Sequence, residues 1–290
     1  RWMWESPQAT KPPITCFRLL SVSKAGSAMT VTSRNWKTGN LKGDSIHASE
    51  QSANIYSDGT YREKNPDWHS QDATGKAVDV MPFIIRILDD CARPVRIADI
   101  GAGMGGVSEE LNKLLRQKRP DADVQFECFD LSPSAVEEGR RLFPDLNFHC
   151  REVGDADGPW DVCLLIDVLE HLENPHAWLR KLRSKCRFVI LRQPLQENFS
   201  TWRHANYRAQ RSQWGHVSFF NERSFRCMAE AAGWEMQDTG LFLAGEYGQS
   251  RGTRIPLHRR LIMSLNRDWA AYIFGAYLIG TLKSRELKVP

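Results

Sequence analysis

Hydrophobic and polar residues alternate along the central part of the chain with two different periods. Short apolar runs, which are typical of buried strands, are separated by stretches whose apolar residues recur at helical spacing. The runs predict strands at 95–100, 124–129, 148–151, 162–166 and 188–191. The stretches between them predict helices at 106–118, 134–142 and 175–182. This alternation indicates a parallel sheet covered by helices on both faces, an α/β fold of the doubly wound kind.

The chain before this region is less regular. Residues 1–46 mix Ser, Thr, Lys, Gly and Pro without apolar periodicity, which predicts a disordered tail. Residues 47–91 carry irregularly spaced aromatic residues and then, over 72–90, apolar residues at helical spacing. We expect an N-terminal helical or lid segment here, followed by the main domain at 92–290.

The pattern resumes after a polar and aromatic insertion at 193–217. A helix is predicted at 222–232 and a strand at 241–244. A basic connection then leads to a last apolar strand at 277–282. The sequence contains no internal repeat.

Composition narrows the class of protein. The net charge of +4 over 290 residues is small, and it favours neither a nucleic-acid partner nor an anionic membrane. The seven cysteines are scattered without a C-x-x-C pair, which indicates reduced thiols and no zinc site. No run approaches the ~18 apolar residues of a membrane-spanning helix, and no signal peptide is evident. A cytoplasmic protein is predicted.

A glycine-rich turn follows the first predicted strand. Residues 99–106 read DIGAGMGG, and glycines there let the backbone pass close to a ligand. Gly101, Gly103 and Gly106 also satisfy the dinucleotide fingerprint G-x-G-x-x-G. However, Asp99 stands where that fingerprint is usually apolar, and its carboxylate could face the cationic end of a bound amino acid. The residue therefore favours S-adenosylmethionine (SAM) over NAD, whereas Asp130, an expected ribose acceptor that could also cap a helix, fits both.

Three successive motifs resemble those of the class I SAM-dependent methyltransferases. They are IADIGAGMG at 97–105, FDLS at 129–132 and WDVCLLIDVLEHL at 160–172, and GHVSFF at 215–220 resembles a later segment of many small-molecule members. The resemblance covers about residues 92–290. It implies a Rossmann-like, doubly wound, seven-stranded sheet with an antiparallel last strand, which the apolar run near the C-terminus fits.

The resemblance also implies which residues hold SAM. It assigns the first turn to the methionine part and the end of the second strand to the ribose. The family usually has an Asp after the third strand for the adenine, and here Glu152 occupies that place by counting, with Asp155 as the alternative. The implied cofactor-binding residues are Asp99, Gly101, Ala102, Gly103, Gly105, Asp130, Leu131, Glu152, Val153 and Asp167.

A second likeness lies upstream. IYSDGTY at 55–61, KNPDWH at 64–69 and KA at 76–77 resemble the start of methyltransferases of bacterial glycan and cell-surface polysaccharide biosynthesis. The resemblance implies a segment that closes over the cofactor. The alternative is that its aromatic residues only anchor this segment to the domain.

Methyl transfer from a sulfonium is an in-line displacement, so we expect no metal and no covalent intermediate. A hydroxyl acceptor needs a base, for which His171, His216 and Asp167 are the candidates. The alternatives are that His171 packs its turn, that His216 orders its loop and that Asp167 only orients a ligand.

The insertion suggests the acceptor. Trp202, Arg203, Tyr207, Arg208 and Arg211 mix aromatic rings, which stack on sugars, with guanidinium groups, which bind phosphate or carboxylate. A solvated basic loop is the alternative. The leading hypothesis is O-methylation of a sugar or glycan intermediate, including a phosphorylated one. The others are a quinone-type or secondary-metabolite methyltransferase, an NAD-linked oxidoreductase and a nonenzymatic SAM-binding regulator.

Overall fold

The computed structural model describes residues 20–25, 28–33, 70–154, 157–204, 206–243 and 256–285. The chain divides into two units, 1–47 and 48–290, which we describe separately. The predicted lid residues before Ser70, and with them most of the upstream likeness, lie outside the described residues.

The first unit contains a two-stranded antiparallel hairpin. Strand β1 (Leu20–Ala25) pairs with β2 (Ala28–Ser33), and Val22 lies opposite Val31. The structure thus differs here from the tail without regular structure that the sequence predicts. Strands this short give no clear periodicity, although Thr and Val favour extended backbone. For the other residues of 1–46, the disordered tail stays a prediction.

The second unit is built on a seven-stranded sheet in the order β5-β4-β3-β6-β7-β9-β8. Its first five strands are parallel, as the alternating pattern predicts. The strands are β3 (Val95–Ile100), β4 (Val124–Asp130), β5 (Asn147–Cys150), β6 (Trp160–Ile166), β7 (Cys186–Leu195), β8 (Trp234–Leu243) and β9 (Ala276–Ser284).

Within this sheet, the last strand alone runs opposite to the other six. Strand β9 enters the sheet between β7 and β8 and pairs antiparallel with both. Because β8 is antiparallel to β9, it runs in the same direction as the first five strands. This arrangement confirms the predicted class I methyltransferase fold.

Helices cover both faces of the sheet. They are α1 (Ser70–Ile87), α2 (Gly106–Lys118), α3 (Pro133–Leu142), α4 (Pro175–Leu182), α5 (Phe199–Arg203), α6 (Tyr207–Trp214), α7 (Glu222–Ala231), α8 (Leu257–Leu265) and α9 (Arg267–Phe274). Local signals set their starts: Ser132 caps α3 ahead of Pro133, and Asn221 and Ser224 form a capping box at α7. None of the helices in the described ranges is long and apolar enough to cross a membrane.

The core lies in two layers, one on each side of the sheet. Along β6, Cys163 and Leu165 belong to the layer beneath α4, α7 and α9, while Val162 and Leu164 belong to the layer beneath α1, α2 and α3. Strands buried on both faces read as continuous apolar runs rather than alternating ones. The run at 162–166 therefore predicted its strand well.

Two regions differ from the sequence expectation. The polar and aromatic insertion, described from the sequence as 193–217, begins only after β7, which continues to Leu195, and it contains α5 and α6. The predicted basic connection contains α8 and α9. Strand β8 starts at Trp234, whereas the sequence predicted a start at 241. It lies at the edge of the sheet beside β9, and exposed polar residues in its first half, such as Glu235, hide the apolar alternation from which a strand is predicted.

Candidate active site

The glycine turn after β3 has the backbone that only glycine adopts without strain. Gly101, Gly103 and Gly105 have φ of 72°, 56° and 81°. A Cβ at Gly105 would come within 2.6 Å of the Phe148 ring, whereas a Cβ at Gly103 would meet no atom within 4 Å. The backbone at Gly103 thus faces open space, where a ligand could approach it closely.

The turn is fixed against the neighbouring strand. The backbone N–H groups of Gly101 and Ala102 both donate to the carbonyl oxygen of Phe129, at 2.8 and 3.0 Å. These two hydrogen bonds hold the end of β3 beside the end of β4. Helix α2 begins at Gly106, directly after the turn, so its first N–H groups lie at the same edge of the sheet.

Asp99 lies behind this turn rather than on its surface. Its side chain is 2% exposed, and its Oδ2 accepts a hydrogen bond of 2.7 Å from the Ser108 hydroxyl. Burial raises the pKa of Asp99 to about 6, against the hydrogen bond from Ser108 and the charge of Lys76. The carboxylate connects β3 to α2, and its contact with a bound amino acid stays a prediction.

We expect Asp99→Asn to change the pH dependence of stability. The folded-state pKa of Asp99, about 6, lies above its unfolded value of about 4, so the protein loses stability as the pH rises from about 4 to about 6, and the loss stays constant above that. The amide has no such cost and still accepts from Ser108. Relative to wild type, the variant should gain about 1.4 kcal/mol of unfolding free energy between pH 5 and pH 8. Urea denaturation at both pH values measures this, with the exposed Asp123→Asn as control, and a constant difference between variant and wild type would contradict it.

Asp130 ends β4 and joins two turns. Its Oδ2 accepts from the Gly103 N–H at 2.7 Å, and its Oδ1 accepts from the Ser132 N–H at 2.8 Å. Burial raises the pKa of Asp130, while these backbone hydrogen bonds act in the opposite direction. Each carboxylate oxygen keeps further acceptor capacity, as the predicted ribose contact requires. Leu131 is next to it, with an exposed side chain.

We expect Asp130→Ala to weaken binding of S-adenosylhomocysteine (SAH) by roughly 10- to 100-fold, because the turn loses two charge-assisted hydrogen bonds and the ligand loses its acceptor. Asp130→Asn keeps one acceptor oxygen, and its SAH affinity should lie between those of wild type and Asp130→Ala. Calorimetric titration measures both. The matched control is Asp145→Ala, which removes an exposed carboxylate 3.9 Å from Arg116. Equal affinities for wild type and Asp130→Ala would remove Asp130 from the cofactor site.

The residues predicted to hold the adenine follow β5. Glu152 is exposed, and Val153 is buried in the core layer that also contains Phe129. Asp157 fixes this segment by accepting from the Gly154 N–H at 2.6 Å. The alternative residue, Asp155, lies outside the described residues.

Asp167 follows β6 directly and is held by two cations. Its Oδ2 lies 3.0 Å from the Lys76 Nζ of α1, and both its oxygens contact the Arg192 guanidinium of β7. Burial disfavours the carboxylate, but the charges of Lys76 and Arg192 outweigh this and lower the pKa of Asp167. Asp167 also has φ of 58°, which is rare for a residue other than glycine. A carboxylate held in this way is a poor base.

Arg192 organises this side of the site. It is 3% exposed, its Nε lies 3.8 Å from Asp79 Oδ2, and its Cζ lies 3.7 Å from the centre of the Tyr277 ring. Sequence reasoning missed both Arg192 and Lys76 as site residues. A cation within the otherwise apolar run of β7 was the available signal, since a buried Arg requires a partner.

Glu170 is a further residue that sequence reasoning missed. It lies in the 3₁₀ turn Leu169–His171, is 1% exposed, and its Oε2 accepts from Gln193 Nε2 at 3.3 Å. Its Oε1 is buried without a hydrogen-bond partner among the described residues. Burial, and then the charge of Asp167, raise the pKa of Glu170 to about 8. The available signal was its place beside His171 after a buried strand.

The structure brings the two predicted histidines together. The ring centres of His171 and His216 are 4.8 Å apart, and His216 Nδ1 lies 2.6 Å from Gln196 Oε1. Burial, and then the charge of His171, lower the pKa of His216 to about 3. At neutral pH the His216 imidazole is therefore uncharged and a weak base.

The chain that follows α6 is attached to the same turn. The N–H groups of Val217 and Ser218 donate to the Glu170 carbonyl oxygen at 2.8 and 3.0 Å, and the Ser218 hydroxyl donates to the Leu172 carbonyl at 2.7 Å. The insertion therefore leaves the sheet at the end of β7 and returns beside Glu170, which places α5 and α6 next to the cluster.

The predicted acceptor residues lie on this insertion. Trp202 is 66% exposed and its ring lies 5.7 Å from that of Phe199, centre to centre. Arg203 and Arg208 are exposed as well. The Tyr207 ring packs edge-on against the Phe219 ring, with their centres 4.9 Å apart. Tyr207 therefore anchors α6 to the domain instead of presenting a free ring to an acceptor.

Comparison with known proteins gives one family. The family model described as a methyltransferase domain matches residues 74–239. Over 92 residues the chain is 27% identical to the mitochondrial ubiquinone biosynthesis O-methyltransferase of Saccharomyces cerevisiae, a match that covers 30% of this chain and 30% of that protein. The chain thus matches less than two thirds of the length of this curated relative.

Solved structures share the fold at low identity. The plantazolicin methyltransferase BpumL in complex with SAH has a TM-score of 0.53 and 16% identity, over 81% of this chain and 94% of that one. The cyclopropane synthase MmaA2 from Mycobacterium tuberculosis has a TM-score of 0.52 and 11% identity, over 71% and 84%. At these identities the likeness shows the fold.

Proposed function

Since the chain belongs to the methyltransferase-domain family, we propose that it transfers the methyl group of SAM to a hydroxyl oxygen of a small-molecule acceptor. The cofactor assignment agrees with the class I fold, and SAM supplies an electrophilic methyl carbon on a sulfonium. The cluster of Glu170, half-buried His171 and His216 beside the turn after β6 is the observation that carries the choice of a hydroxyl.

The residues of the glycine turn fit SAM. The open space above Gly103 admits a ligand against the backbone, and Asp130 keeps acceptor capacity for two ribose hydroxyls. We assign the methionine part to the turn with Gly101, Ala102 and Gly105, backed by Asp99 and Asp167. The ribose is assigned to Asp130 and Leu131, and the adenine to Glu152 and Val153.

Removal of the hydroxyl proton is assigned to the cluster as a whole. Of the three predicted bases, Asp167 is bound by two cations and His216 has a pKa lowered to about 3, so neither suits this role alone. Glu170 adds a buried carboxyl group beside them, and its pKa of about 8 makes it a stronger base than either once it is ionised. An acceptor that required no deprotonation would not need such a group.

The insertion supports a proposal for the class of acceptor. Exposed Trp202 and Phe199 can stack on a ring, and Arg203 and Arg208 can bind a phosphate, which supports a sugar or glycan intermediate. A quinone-type phenol is the second candidate, and the match to the Saccharomyces cerevisiae ubiquinone O-methyltransferase favours it. Both offer a hydroxyl beside a ring.

The test compares cofactors and acceptors. We expect calorimetric titration to show micromolar binding of SAH and none of NAD. Radiolabelled SAM is then incubated with nucleotide sugars, sugar phosphates, polyhydroxylated phenols and primary amines, and the label should enter one hydroxyl-bearing class only. Binding of NAD instead of SAH would overturn the proposal. Label transfer to amines but not to hydroxyls would refute O-methylation.

We also propose a cytoplasmic location. The six cysteines in the described part of the chain are free thiols, as expected in a reducing compartment. Cell fractionation with the full-length protein checks this, and recovery with secreted proteins would contradict it.

A further inference from the structure

We infer that Glu170, His171 and His216 form a binding site for one divalent transition-metal cation. One carboxylate oxygen and one ring nitrogen from each histidine lie within 4.8 Å of one another. Tetrahedral ligands at 2.0–2.2 Å from a common ion are about 3.3–3.6 Å apart, so the most distant pair of ligand atoms has to close by up to about 1.5 Å.

The Glu170 carboxylate has a free ligand position. None of the ion pairs within the described ranges includes Glu170, and its Oε1 has no hydrogen-bond partner there, while Oε2 is engaged by Gln193. A buried carboxylate oxygen without a partner costs free energy that a cation would remove. The neighbouring cations do not supply this contact, because Lys76 and Arg192 are bound to Asp167.

The His216 imidazole is oriented as a ligand. Gln196 donates from Nε2 to Gln210 Oε1 at 2.9 Å, which turns its Oε1 towards His216. Nδ1 of His216 must then carry the proton, and Nε2 is left with a lone pair. Histidines that bind metals commonly donate their other N–H to an oxygen in this way, and the ligating carboxylate is commonly hydrogen-bonded too, as Glu170 is by Gln193.

The ligand types indicate the kind of ion. Two imidazole nitrogens and one carboxylate oxygen suit Zn²⁺, Co²⁺, Fe²⁺ or Mn²⁺ rather than Ca²⁺ or Mg²⁺, which prefer oxygen. Three protein ligands leave at least one position open, as in metal sites that bind a substrate. The ion would take the hydroxyl oxygen of the acceptor there.

The role in methyl transfer rests on the proposed function, whereas the binding of the ion does not. With the ion bound, the three side chains would act as ligands instead of as a base: the cation would lower the pKa of an acceptor hydroxyl, whose proton would pass to water. The oxygen then forms a bond to the methyl carbon as the carbon–sulfur bond breaks, and that electron pair returns to sulfur. The sulfonium charge disappears, and the ion is unchanged.

The test measures metal binding without SAM or acceptor. Full-length protein free of any histidine tag is stripped with a chelator, dialysed and titrated with Co²⁺, while visible absorption and metal content are recorded. We expect one Co²⁺ per chain, with ligand-field bands that Zn²⁺ abolishes. Glu170→Gln, His171→Gln and His216→Gln should each weaken Co²⁺ binding at least 10-fold. The control His176→Gln, which removes an imidazole that contacts Arg180 on α4, should bind as wild type does.

Two outcomes would overturn the inference. One is that the wild-type protein binds no stoichiometric Co²⁺, Zn²⁺ or Mn²⁺ with a Kd below about 100 µM, which corresponds to a binding free energy of about −5.5 kcal/mol. The other is His171→Gln binding as tightly as His176→Gln does, with SAH affinity showing that both are folded. The binding test contains no methyl acceptor. The metal-site inference can therefore be refuted while the proposed methyl transfer is confirmed, and the reverse outcome is equally possible.

Discussion

Replacing His171 with glutamine should lower kcat by roughly 10²- to 10⁴-fold, the range that proton handling contributes in enzymes. His171 is half-buried in the turn after β6, and its ring packs on that of His216. The loss should be in kcat, with SAH affinity within about threefold of wild type, since Gly103 and Asp130 lie on other turns. Steady-state kinetics with the acceptor found in the screen, together with calorimetry, separate the two quantities.

The control for this prediction is His176→Gln, which changes an imidazole on the next helix and should leave kcat unaltered. Bound metal gives a second readout. If His171 is a ligand, kcat and metal content fall together across His171→Gln and His216→Gln. If His171 acts only as a base, metal content stays at the wild-type level and the acid limb of the pH profile is lost. A kcat within threefold of wild type would show that His171 has no part in the reaction.

The fold was predictable because its signals are local and strong. The strand at 95–100 and the helices at 106–118 and 175–182 have the predicted bounds. A strand buried on both faces is an unbroken apolar run, and a Pro or Gly marks the start of each neighbouring helix. The antiparallel last strand was predicted only through the resemblance, and nothing in the sequence indicated that β9 enters between β7 and β8.

Elements with one exposed face were predicted less well. Strand β8 lies at the edge of the sheet and has polar residues at positions such as Glu235 and Gln237, so its first half carried no strand signal. Helices α5 and α6 are short and α6 has no buried residue, which leaves no apolar stripe to detect. Tertiary contacts decide such segments more than local preference does.

Sequence reasoning predicted the residues of the site that have a local signal and missed those that gain their role from long-range contacts. The glycine turn is visible in the sequence because its positive φ values require glycine, and the structure places Asp130 against it. Glu170, by contrast, gains its chemical character from long-range contacts with Gln193 and from burial. Lys76 and Arg192 come from elements more than 100 residues apart, and nothing in either local sequence pairs them with Asp167.

These cations also connect the N-terminal helix to the site. Lys76 and Asp79 belong to α1, and both lie against the pair formed by Arg192 and Asp167. Arg192 thus satisfies carboxylates from two elements and the face of the Tyr277 ring at once. Its removal would leave two partly buried carboxylates, Asp79 and Asp167, with Lys76 as the one remaining cation among these contacts.

Arg192→Met should therefore lower the free energy of unfolding by about 3–5 kcal/mol, the usual cost of breaking a buried ion pair by removing one partner. For a domain of this size, that corresponds to a fall in Tm of roughly 6–20 °C. Thermal denaturation followed by circular dichroism measures it. The matched control is Arg187→Met on the same strand, which removes a guanidinium near the surface and should shift Tm little.

The pH dependence gives the sharper test of cause. Without Arg192, the pKa values of Asp167 and Asp79 rise in the folded state, and that of Asp79 is already raised to about 6 by burial. When the pKa of a carboxyl group is higher in the folded than in the unfolded state, the unfolding free energy of the protein falls as the pH rises from the lower pKa to the higher one. The deficit of Arg192→Met should thus be larger at pH 8 than at pH 5, and adding Asp167→Asn should restore part of it. A deficit that is independent of pH, or unrelieved in the double variant, would show that Arg192 acts by packing on Tyr277 rather than by its charge.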